Sequence, residues 1–148
     1  MFLRMIRARV RSGVAAIVFV SMAGCGSSPL TATRIESAVG TTFANLVGVQ
    51  VTSLGLPSIE HSDVGARVTC RRPAGSAETR SGDWVCTIAW QGPDGRPLRD
   101  TYDVFVAADG CYTAGAEAAT LGGPTITTSE GRLVKNLLYK FEGCFDTL

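Results

Sequence analysis

Reactive side chains are scarce in this chain, and their placement limits the chemistry open to it. There are five cysteines and one histidine. The histidine sits in Glu60-His61-Ser62-Asp63, which holds the residue types of a nucleophile, a base and an orienting acid. Neighbours in one loop do not form such a line, because its members converge from separate parts of a chain. His61 therefore reads as an exposed turn residue. Asp100 and Asp103 come nearest to the paired carboxylates of glycosidic cleavage, but their spacing on a strand sends them to opposite faces. No Gly-x-x-x-x-Gly-Lys-Ser/Thr cradles a phosphate, and Gly122-Gly123-Pro124 is followed by neither a lysine nor a helix start. Trp84, Trp90, Tyr102 and Tyr112 have the chemistry to line a carbohydrate or peptide site. The alternation of Trp84 and Trp90 with Cys86 assigns them first to a core. The expectation is a protein with no catalytic residue, no cofactor and no metal site.

The cysteines carry more. Cys25 closes the stretch Ser21-Met22-Ala23-Gly24-Cys25, which ends the apolar run Val14-Ala15-Ala16-Ile17-Val18-Phe19-Val20. Arg4, Arg7, Arg9 and Arg11 stand before that run, with no acidic residue among them. A basic segment, a short apolar segment and small residues before a cut are the parts of a secretory signal peptide. The run from Gly13 to Gly24 is well short of the roughly 20 residues a membrane-spanning helix needs. With its cysteine, the stretch resembles the lipobox of bacterial lipoproteins: Leu, then Ala or Ser, then Gly or Ala, then Cys. It departs from that pattern only in Met22. The resemblance implies cleavage between Gly24 and Cys25 and a diacylglyceryl group on the Cys25 sulfur. It places the protein at the cell membrane, lipid-anchored on the extracytoplasmic face. Each buried methylene contributes about 0.8 kcal/mol, so two or more acyl chains hold stably where one does not. The competing readings are a secreted protein with a chance cysteine at the cut and a cytosolic protein with an apolar N-terminal helix. Four arginines without an acid weigh against the second. No Arg-Arg pair is present in residues 1–24, which favours the general secretory route over the twin-arginine route.

Removing residues 1–24 changes the charge. The precursor has 14 basic and 13 acidic residues, a net charge of +1. Without the four arginines the remainder is near −3. The basic surplus belongs to the leader, so it is no argument for nucleic acid as a partner. Residues 25–148 suffice for one domain with a single core. Frequent Ala, Gly and Val, with Arg over Lys, suggests a GC-rich genome such as an actinobacterium's.

With Cys25 taken by lipid, Cys70, Cys86, Cys111 and Cys144 form an even set suited to an oxidising compartment. No Cys-x-x-Cys is present, and two structural disulfides are expected rather than zinc or redox chemistry.

The elements that position these cysteines follow in chain order. Gly26 to Ala32 is a polar tether whose seven residues reach only about 25 Å when extended. Thr33-Arg34-Ile35-Glu36 reads as a capping box. Ile35, Val39, Phe43, Leu46 and Val47 follow at helical spacing, predicting a helix over 34–47 that Gly48 ends. Gly40 weakens it by about 1 kcal/mol relative to Ala. Val47, Val49 and Val51 alternate, suggesting a short strand directly after the helix. Ser53 to Asp63 reads as a loop. Val64 to Arg71 alternates as a half-buried strand, with Arg67, Arg71 and Arg72 as solvated edge charges. Trp84, Cys86, Ile88 and Trp90 share one face of a second strand. Gln91 to Pro97 is a turn. Tyr102, Val104 and Val106 share a face of a third strand, with Phe105 opposite. Ala114 to Ala119 reads as loop or one helical turn. Leu133 to Phe141 fits a helix or a strand, and extended chain is the preferred reading.

Cys70 and Cys86 both lie on the apolar faces of neighbouring hairpin strands, where Cα atoms fall within the 7 Å or so that a disulfide needs. Cys70–Cys86 is the preferred pair, and Cys111–Cys144 follows by elimination. The latter two share the form acid-Gly-Cys-aromatic, in which glycine permits a bend beside the thiol.

The fold expected is α+β: one N-terminal helix on an antiparallel sheet of four to five strands, with two disulfides, over residues 33–148. Residues 1–24 are the leader, and 25–32 the lipidated cysteine and tether. Helix-then-meander with Val-x-Cys and Trp-Val-Cys strands resembles small lipoprotein domains of actinobacteria. The expected function is a non-enzymatic binding or accessory module. Its partners would be the membrane, through the anchor, and an envelope protein or small ligand. The alternatives are an envelope-modifying hydrolase and a purely structural lipoprotein.

Overall fold

A computed structural model describes residues 30–76, 81–117 and 121–145. Helix α1 spans Ala32–Ser53. It is longer at both ends than its apolar spacing predicts. Thr31, not Thr33, is the N-cap, its hydroxyl accepting from Arg34 N at 3.4 Å. The helix passes through Gly48 because Gln50 and Val51 extend the stripe begun by Val39, Phe43 and Val47, and all five are buried. The alternation expected to make a strand of Val47, Val49 and Val51 is helical spacing in which Val47 and Val51 face the core and Val49 is exposed. Gly55, at φ 74°, is the stop that Gly48 is not, since glycine alone enters the left-handed region freely.

A single helical turn, α2 (His61–Val64), occupies part of the predicted loop, and buried Val64 belongs to it rather than to a strand. Gly65, at φ 55°, turns the chain into β1 (Arg67–Arg71). Then come β2 (Gly82–Gln91), β3 (Pro97–Val106), β4 (Cys111–Ala116), β5 (Thr125–Thr127), β6 (Leu133–Lys135) and β7 (Lys140–Cys144). Ala114 and Ala116 are thus strand residues, not loop. The segment 133–141 is extended, broken into β6, a turn at 136–139 and the start of β7.

Five strands form one antiparallel sheet in the order β1-β2-β3-β4-β7, and β5 and β6 form a separate hairpin. α1 lies across one face of the sheet. Phe43 is the centre of that interface, with ring centroids 5.0 Å from Trp90, 5.9 Å from Tyr102 and 6.1 Å from Phe141. Such edge-on and tilted pairs contribute about 0.5–1.5 kcal/mol each beyond their burial. Trp84, Cys86, Ile88 and Trp90 face this core, as do Tyr102, Val104 and Val106, while Phe105 is on the opposite face and half exposed. Gly40 lets α1 approach β1: a Cβ there would meet Val68 Cγ2 at 3.2 Å.

Both expected disulfides are present, the first as the strand faces predict and the second as elimination left it. Cys70 lies opposite Cys86, with Cα atoms 4.1 Å apart. Cys111 lies opposite Cys144, with Cα atoms 3.9 Å apart. The first bond ties the sheet's one edge strand to its neighbour, and the second does the same at the other edge.

Candidate functional site

Of the residues singled out for chemistry, Gly24 and Cys25 lie outside the described residues. The His61 ring nitrogen Nδ1 lies 3.1 Å from Asn45 Oδ1, an amide rather than a carboxylate, and the residue is exposed. Ser62 Oγ approaches only Asp63, at 3.5 Å. Asp103 is exposed on the sheet's outer face, whereas Asp100 is buried on the inner one. One Asp100 oxygen accepts from Thr101 N at 2.8 Å, and the other has no partner among the described residues. Nothing brings these groups together. Trp84 and Trp90 are buried core residues, and the Arg72 guanidinium stacks 4.5 Å over the Trp84 ring. Arg72 is therefore engaged with the core's edge and is not a purely solvated charge.

The two tyrosines act as struts. Tyr102 Oη donates to the Leu138 carbonyl at 2.8 Å. Burial, with the Asp100 charge adding to it, holds that phenol well above the ordinary tyrosine range. Tyr112 Oη bonds the Ala38 carbonyl at 3.1 Å and Thr42 Oγ1 at 2.8 Å, pinning β4 to α1. Its phenol is also raised by burial, against a smaller lowering from the Thr42 bond. Neither hydroxyl is open to a ligand. Among the described residues no group of three His, Cys, Asp or Glu is placed to hold a metal, and no helix is long and apolar enough to cross a membrane.

What the fold leaves open is the sheet's edge, and its two edges differ. At β1 the amide of Cys70 points away from β2 and donates to Glu36 Oε1 of α1 at 2.9 Å. Glu36, expected to reach back to its own helix start, instead takes this amide in a charge-assisted bond. At β7 the ladder to β4 uses one set of residues: Ala116 N donates to Tyr139 O at 3.0 Å, and Phe145 N to Gly110 O at 2.9 Å. Antiparallel bonding alternates along a strand, so Lys140 and Glu142 aim their N–H and C=O groups away from β4. No hydrogen bond within the described residues takes them.

Beside this edge runs a groove of about 520 Å³. Leu46 of α1, Leu137 and Phe141 give it apolar walls, and Lys135, Lys140 and Glu142 give it charge. Gln50 holds one end of it, Oε1 accepting from Leu137 N at 2.6 Å. Asn136 holds the adjoining turn through Nδ2 bonds to the carbonyls of Leu121 and Gly123. The sequence held one signal for this edge, the charged pair Lys140 and Glu142 flanking an apolar residue, which is how natural edge strands are marked. The long-range polar contacts of Gln50 and Glu36 left none. Comparison with protein-family models, with curated proteins and with solved structures finds no match to this chain.

Proposed function

We propose that the protein is a lipid-anchored module on the extracytoplasmic face of the cell membrane that works by binding another protein segment, without catalysing a reaction. The anchor is Cys25, exposed by cleavage after Gly24. The observation that carries the binding role is the open β7 edge: unpaired backbone donors and acceptors at Lys140 and Glu142 beside an apolar groove. A sheet edge of this kind takes an extended chain by adding a strand, with main-chain bonds supplying affinity and side-chain pockets specificity.

The test is photocrosslinking in cells, with a photoreactive amino acid at position 46 in the groove or at exposed position 58 as a control. A discrete protein adduct from position 46 and none from position 58 is the expected result. No adduct above the control would overturn the binding role.

A further inference from the structure

We propose that the segment which adds to β7 is the β7 strand of a second copy of this chain, giving a two-fold dimer with one continuous sheet. The inference rests on the reading of the β7 edge as a protein-binding surface and names its occupant.

Pairing of two identical antiparallel strands is isologous: each residue i that meets j is matched by a j that meets i. Only residues aiming their backbone groups outward, Lys140, Glu142 and Cys144, can supply the bonded pairs across this edge. Five registers are open to them within β7, and the two centred on Gly143 and Cys144 set no two charged residues of β7 against each other. In one of the other three, Glu142 faces Glu142 of the second copy, a like-charge contact that is destabilising on a sheet face. In another, Lys140 faces Lys140, with the same penalty. In the third, the axis passes through Phe141, and Lys140 faces Glu142 of the second copy twice over. Each Lys140–Glu142 pair then exchanges both of its N–H···O bonds, and opposite charges lie directly across from each other.

The same register sorts the inner face. Phe141 meets Phe141 of the second copy, and Tyr139, just before β7, falls opposite Gly143, over which Tyr112 of the same copy already lies. The apolar walls of the groove, Leu46 and Leu137, border this contact on each copy. Lys140 and Glu142 thus do two jobs: they repel in the two registers that set either against itself, and they attract in the one that sets them against each other. At the β1 edge, by contrast, Glu36 already holds the outward amide of Cys70.

The experiment is sedimentation of the full-length, membrane-extracted protein in detergent over a concentration series, for wild type, Lys140→Glu, Glu142→Lys and the double exchange. Both side chains are exposed on the outer face, so the variants are expected to fold, and retained near-ultraviolet circular dichroism checks this. The wild type should dimerise. Each single reversal creates two like-charge contacts and should raise the dimer dissociation constant about tenfold or more. The double exchange should restore it. A wild type that stays monomeric, single reversals without effect, or a double exchange that fails to restore dimerisation would each overturn the inference. A monomer that still gives the position-46 adduct with a different protein overturns the dimer alone. A monomer with no adduct overturns the binding role as well.

Discussion

Replacing Gly143 by alanine should destabilise the protein far more than its position on an edge strand suggests. A Cβ at Gly143 would lie 2.6 Å from Tyr112 Oη, 2.8 Å from Tyr112 Cζ and 3.1 Å from Thr42 Oγ1. The first two separations are closer than real Cβ atoms approach anything, so the tyrosine ring must move. It cannot do so freely, because its hydroxyl is fixed by Ala38 and Thr42 on α1 and its ring stacks on Phe145 with centroids 5.4 Å apart. Forcing a methyl group into a filled site costs about 1–3 kcal/mol, and each hydrogen bond broken adds about 1 kcal/mol. The expected loss is therefore about 2–4 kcal/mol, a fall in midpoint on the order of 10 °C for a domain of this size. Gly115→Ala on the adjoining strand is the control, since nothing lies within 4 Å of a Cβ there. Tyr112→Phe supplies a second check. In that background the alanine no longer meets an oxygen at 2.6 Å, so its cost should shrink in a double-mutant cycle. Reversible urea or thermal unfolding of the disulfide-intact protein reads all four. If Gly143→Ala costs no more than Gly115→Ala, the close approach of Tyr112 is not what requires glycine here.

Three further outcomes are expected. Replacing Cys70 and Cys86 together should cost about 3 kcal/mol in the chain-entropy relation, and replacing Cys111 and Cys144 about 3.7 kcal/mol, from loops of 16 and 33 residues; unfolding of the two double variants would show whether the longer loop costs more. His61→Ala, which removes one contact to an exposed asparagine, should change stability by less than about 0.5 kcal/mol and leave the cellular phenotype unchanged; a folded His61→Ala variant that copies a full deletion would assign His61 a function. Tyr102 and Tyr112 keep their protons in the folded state beyond the ordinary value of 10.0, so their contribution to stability is complete below that pH and falls as pH rises above it; a stability–pH curve for Tyr102→Phe should be flatter in that range than the wild type's.

The strands and their faces were legible because a half-buried sheet writes itself with period two. Trp84-Val85-Cys86-Thr87-Ile88 assigned an inner and an outer face, and from those faces the pairing of Cys70 with Cys86 followed. Helix α1 was legible only where its stripe was plain. Its last turns read as a strand because Val47 and Val51 satisfy both periods, and only contact with the sheet decides between them. Glycine was the least legible residue. Gly110 is at a true bend, at φ 85°, but Gly143 in the same Asp/Glu-Gly-Cys-aromatic form is not. It is glycine because Tyr112, distant in sequence, fills the space. Glu36 was read as part of a cap, and Gln50 and Asn136 went unread, for a related reason. Their partners are Cys70, Leu137, Leu121 and Gly123, contacts that exist only once the chain has folded and that no local spacing encodes. Asp100 breaks its strand's apolar face outright, a buried carboxylate where the pattern called for a hydrophobic residue.

The claim on which the proposed function depends most directly is the chemistry at Cys25. Intact-mass spectrometry of the full-length gene product recovered from membranes tests it, with the Cys25→Ser variant beside it. The expected wild-type species begins at Cys25 and is heavier than residues 25–148 by a diacylglyceryl group, with or without one further acyl chain. The variant should retain residues 1–24 and carry no lipid. A wild-type protein of unmodified mass, or a Cys25→Ser protein cut at the same bond and held in the membrane as before, would contradict the lipid anchor.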